Sequence, residues 1–179
     1  KEANFTKFDE GSHMTTCSKI KNTALGVMPW MAHRNMPGKR LCMVTSLASA
    51  LSFLGHDKLA KKIVPIVERM MEDKAHMKLD MKSLIQKVLK EHGIKMKDVK
   101  LKRNNESVVT YDLLLVSLRG KNNGVKHSIA IARGLIFDSN QKKAMPFSIK
   151  SLDLACGGSD FCAFNWTKKL IFTSNAHSK

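Results

Sequence analysis

The spacing of apolar residues changes period at Gly93, and that change limits what the chain can fold into. Upstream, Val44, Leu47, Ala48, Leu51 and Leu54 recur at helical intervals from Cys42, and Gly55 is placed to end the element. Leu59, Ile63, Ile66, Val67 and Met70 continue the pattern across 57–72, where Pro65 predicts a kink or a restart. A third stripe, Leu84, Ile85, Val88 and Leu89, follows Asp80, a suitable helix cap, and Gly93 closes it. Downstream, Ile94, Met96, Val99 and Leu101 suit a short strand. Leu113 to Leu118 is a continuous apolar run of the kind a strand buried on both faces needs. After a turn over 119–124, Lys126 to Arg133 returns as the next strand. Arg133-Gly134 predicts a tight turn into Leu135 to Phe137, and a further strand lies within Phe161 to Thr173. The expected fold is α+β, with a helical N-terminal half packed on a C-terminal antiparallel β-sheet.

Gly11-Ser12-His13-Met14 has the form of an expression-vector scar, so residues 1–14 read as a tag, a scar or a grafted peptide, and residues 15–179 as a single domain. If residues 1–10 are a grafted ligand, Phe5 and Phe8 are its anchors. A hydrophobic content of 43% excludes a disordered chain, and no apolar run is long enough to span a bilayer. Cys17, Cys42, Cys156 and Cys162 show no disulfide or zinc spacing, and the histidines lack metal-ligand pairing. The expectation is therefore a reduced, intracellular protein, cytoplasmic or nuclear, with no metal, no cofactor and no membrane association.

Charge adds a separate constraint. Thirty-one Lys and Arg against 15 Asp and Glu give a net charge of +16, which implies an acidic partner, with nucleic acid the first candidate. The densest basic stretch, Lys74 to Arg103, alternates with apolar helical positions and reads equally as a solvated face. Aromatic residues are only 6% of the chain, and no nucleic-acid-binding motif accompanies the charge.

One constellation spells out a chemistry. Cys42 follows the turn Met36-Pro37-Gly38-Lys39-Arg40 at the start of an apolar helix, where the helix dipole favours a thiolate. His127 opens a strand, and Asp138 and Asn140 end the next one. A thiol nucleophile needs a base, and the base needs an acceptor to orient it. In a hairpin turning at Arg133-Gly134, Asn140 lies opposite His127, and alternation puts Asp138 on the same face, so either can serve. Plainer roles are also open: Cys42 as a small buried apolar residue, His127 as a satisfied strand histidine, and 138–140 as a turn.

The segments Leu41-Cys42-Met43-Val44-Thr45-Ser46-Leu47-Ala48-Ser49-Ala50-Leu51, His127-Ser128-Ile129-Ala130-Ile131 and Ile136-Phe137-Asp138-Ser139-Asn140 resemble the papain-like cysteine peptidase superfamily, especially its compact bacteriocin-processing-type and transglutaminase-like branches. The resemblance covers roughly Pro37 to Asn140 and implies a papain-like fold with peptidase, isopeptidase or transferase activity. Such enzymes place a Gln before the Cys as an oxyanion donor; none precedes Cys42, which leaves Asn35 and His33 as candidates. Trp30 is a candidate for packing in a peptide groove. Three functions follow: a cysteine hydrolase using Cys42, His127 and Asp138 or Asn140; a peptidase-like module that binds peptides without turnover; or a basic nucleic-acid-binding domain.

Overall fold

The computed structural model describes residues 41–76, 78–102, 108, 110–121 and 126–173. Among the described residues three α-helices come first: α1 (Cys42–Phe53), α2 (Asp57–Glu72) and α3 (Met81–Glu91). They are followed by β1 (Ile94–Asp98), β2 (Leu114–Gly120), β3 (Lys126–Ala132), β4 (Leu135–Phe137), β5 (Met145–Pro146), the short helix α4 (Ile149–Ala155) and β6 (Phe161–Phe172). The expected order, helices before an antiparallel sheet, is the order observed.

Local chemistry sets most of the boundaries. The Asp80 carboxylate accepts the Ser83 N–H at 2.7 Å and so starts α3. Gly93 ends that helix at φ +72°, where a β-carbon would come within 2.8 Å of Thr173 Oγ1. The β3–β4 connection is Arg133 at φ 47° and Gly134 at φ 79°, a left-handed pair that matches the twist of a two-residue hairpin. Pro65 neither ends nor restarts α2, which runs unbroken from Asp57 to Glu72. The ring removes a hydrogen bond to Lys61, an exposed residue one turn earlier, where water can take the carbonyl.

All six strands form one antiparallel sheet in the order β1-β6-β2-β3-β4-β5. The last strand therefore lies between the first two, an arrangement that periodicity alone does not reveal. β2 is buried along nearly its whole length, as its apolar run predicts. Each face carries its own core. Leu47, Leu51, Ile63, Leu84 and Ile85 of the three helices pack with Leu115, Ala130 and Phe137. On the other face Leu114, Val116, Ile129, Ile131 and Ile136 pack with Leu152 of α4 and with Phe161.

α4 interrupts the strand-rich half and has no counterpart in the apolar pattern. Its seven residues are too few for a helical stripe to stand out. Its punctuation is nonetheless present: Ser148 Oγ accepts the Ser151 N–H at 3.0 Å, and Gly157 and Gly158 follow its end at positive φ.

Candidate functional site

α1 begins differently from α3 and α4, because Leu41 at its N-cap supplies no side-chain hydrogen bond to the first turn. The amides of that turn are thus left to partners other than the N-cap side chain. Cys42 is the helix's first residue and is only partly buried. The His127 side chain and the backbone N–H groups of Ser128 and Met43 lie close enough to its sulfur to favour the thiolate. The β3–β4 ladder pairs only Ala130 to Ala132, so Ser128 lies beyond it with its amide available to the sulfur.

His127 hands the contact on. Its Nε2 lies 2.7 Å from Asp138 Oδ1, a carboxylate with no solvent exposure. That leaves Nδ1 as the ring nitrogen for the thiol. The same Oδ1 accepts the backbone N–H of Asn140 at 2.9 Å, which fixes the carboxylate's orientation. Asn140 thus contributes through its main chain, and it is an exposed residue. Of the two residues expected for the third position, Asp138 makes the contact. β4 ends at Phe137, and the chain then turns, with Gln141 N bonded to Asp138 O at 3.0 Å, so hairpin symmetry does not extend to residue 140.

A second tie joins the hairpin to the helix. The Ser139 N–H donates to Ser46 Oγ at 3.1 Å, and Ser46 lies one helical turn beyond Cys42. The helix that carries the sulfur and the segment that carries the carboxylate are therefore held in register by a buried bond. Replacing Ser46 with Ala is expected to leave a buried N–H unpaired and lower stability by about 1–3 kcal/mol. Urea denaturation would measure the loss, and the Cys42 alkylation rate should fall with it.

The electrostatics follow from these contacts. Burial pushes the Cys42 thiol up, but the hydrogen bond and charge of His127, with the Ser128 and Met43 amides, outweigh it and leave the pKa below the ordinary thiol value. Burial pushes His127 down, yet hydrogen bonds and charge from Asp138 and Cys42 raise it to about 9. The two groups favour thiolate and imidazolium together. Cys156 shows the opposite case: burial, with the charges of Asp153 and Asp138, raises it to about 11. Cys162 is exposed. Asp138 Oδ2 and Ser139 Oγ are buried without a hydrogen-bond partner among the described residues.

Asn35, His33, Trp30, Phe5, Phe8 and Cys17 lie outside the described residues. Trp166 packs partly buried against the helix-side core with Lys82 Nζ 5.5 Å from its ring centre. Ser46 and Ser128 are site residues that no sequence motif announces. For Ser46 a weaker signal existed, its position four residues after Cys42 and so on the same helix face. Among the described residues no three His, Cys, Asp or Glu side chains are grouped to hold a metal ion, and no helix is long and apolar enough to cross a membrane. No family model, curated protein or solved structure matches the chain.

Proposed function

We propose that this protein is a papain-like thiol hydrolase that cleaves amide bonds of peptide or isopeptide type. One observation carries the reading: Cys42, the first residue of α1, interacts with His127, whose ring is hydrogen-bonded to the buried carboxylate of Asp138. In the proposed reaction the Cys42 thiolate attacks the carbonyl carbon, and the C–O π pair moves onto oxygen. That oxyanion is held by the Cys42 N–H at the positive end of α1, with Asn35 or His33 proposed as the second donor. The tetrahedral intermediate collapses, the C–N bond breaks, and the proton on His127 goes to the leaving amine. His127 then takes a proton from water as the water attacks the thioester, which releases the carboxylic acid and restores the thiolate. Asp138 keeps the imidazole oriented and stabilises its charged form throughout.

The pH profile of alkylation tests the reading. A thiol of lowered pKa ionises below the ordinary thiol range, and its imidazolium partner persists up to the His127 pKa of about 9. An ordinary thiol loses about tenfold in thiolate for each pH unit below its pKa of about 8.5. With iodoacetamide and site-resolved mass spectrometry, Cys42 is expected to lose less of its rate between pH 8 and pH 6.5 than free cysteine added as a reference thiol, which slows more than tenfold. Parallel profiles for the two cysteines would overturn the proposal. Turnover is then read with peptide amides carrying a fluorogenic leaving group, for which Cys42→Ser should be inactive.

A further inference from the structure

The β1–β6 ladder treats charge differently on its two faces. Asp98 and Lys168 are Cα partners, and Lys168 Nζ lies 2.7 Å from Asp98 Oδ1, a complementary rung. The neighbouring rung opposes Lys97 to Lys169. Directly opposed residues share a face, so these two like charges stand side by side, an arrangement that destabilises a sheet. Lys95, two residues along β1, projects from that face as well. Lys95 and Lys97 are exposed and Lys169 is half-buried, and among the described residues no carboxylate pairs with any of the three. Lys100 and Lys102, also exposed, follow directly after β1.

An edge strand such as β1 commonly carries lysine to discourage edge-to-edge pairing. That accounts for Lys95 and Lys97 but not for Lys169, because β6 is an interior strand with partners on both sides. The unbalanced rung therefore needs another explanation. A polyanion laid across the face provides one, since it would replace repulsion between Lys97 and Lys169 with attraction to both.

We propose that the Lys95–Lys97–Lys169 face of β1 and β6 binds the phosphate backbone of nucleic acid without sequence preference. Strand geometry sets Lys95 and Lys97 roughly 6.6–6.8 Å apart, with Lys169 about 5 Å across the ladder from Lys97, a row of point charges suited to a regularly charged chain. Lysine contacts phosphate as a point charge and reads no base edge, hence the lack of sequence preference. The net charge of +16 supplies the long-range attraction that a long polyanion would feel. β2 separates this β1–β6 surface from the strand that bears His127, and none of its three lysines belongs to the thiol site.

The test is fluorescence anisotropy with short labelled oligonucleotides, single- and double-stranded, across a salt series. Two full-length variants that lose the same charge are compared: Lys95→Gln/Lys97→Gln/Lys169→Gln on the sheet face and Lys58→Gln/Lys61→Gln/Lys62→Gln on α2. The sheet-face variant is expected to bind at least tenfold more weakly, with its single-strand salt slope reduced by about 2, or about 0.7 for each phosphate that a lysine no longer neutralises. The α2 variant should keep most of the affinity and the slope. Lys97→Gln alone removes the like-charge rung and should therefore fold at least as well as the parent while lowering the slope by about 0.7. Equal weakening by both triple variants, or by neither, would overturn the proposal. So would displacement of the oligonucleotide by polyglutamate at equal charge concentration, which would assign the face to acidic protein instead. Cys42→Ser should bind as the parent does, whether or not the hydrolase reading survives.

Discussion

For the proposed amide hydrolysis, replacing His127 with Ala is expected to cost kcat on the order of 10⁶-fold, the scale seen when one member of a cooperating nucleophile–base pair is deleted. The cause is twofold. Cys42 loses the hydrogen bond and charge that oppose the effect of its burial, so its pKa rises, and the leaving amine loses its proton donor. Alkylation separates the two effects: in His127→Ala the Cys42 rate should adopt the pH dependence of an ordinary or raised thiol. Adding Cys42→Ala should cost little further activity, because the two groups act as one unit. A variant that retained more than about a hundredth of parental kcat would show that general acid–base transfer, worth about 10²–10⁴-fold, does not pass through this ring.

The largest effect on stability is expected at Phe161. It is fully buried in the core opposite the three helices, with its ring 4.9 Å from that of Phe164, and its N–H donates to Asp153 Oδ1 of α4 at 2.6 Å. Phe161→Ala should lower unfolding free energy by about 3–5 kcal/mol, read as a fall in the urea midpoint with unchanged slope. The backbone bond to Asp153 survives the substitution, so the loss reports the cavity. If the midpoint moved by less than about 1 kcal/mol equivalent, Phe161 would not be part of a closely packed core.

How much of the fold and the site was legible in the chain depended on whether the signal was local. Gly93, Asp80 and Arg133-Gly134 each impose a backbone or capping requirement within a few residues, and each lies where the structure uses it. The pairing of Cys42 with His127 was legible through residue type and element order. The choice between Asp138 and Asn140 was not, because it turns on β4 ending at Phe137, a three-residue strand whose limit no periodicity marks. α4 is likewise short, and only its cap and its glycines announce it. The insertion of β6 between β1 and β2 is a matter of long-range pairing, for which a single strand's pattern carries no address.

That insertion bears on when the sheet can be completed. Among the described residues β1 has β6 as its only ladder partner, and β2 relies on β6 for one of its two edges. During synthesis both strands emerge before the segment that joins them, so the sheet cannot close until Phe161–Phe172 has left the ribosome. The bond between Ser139 and Ser46 also spans 93 positions. Contacts of such separation form late and slow folding. The architecture thereby leaves β1 without its β6 partner, and β2 with one open edge, until the last strand is in place.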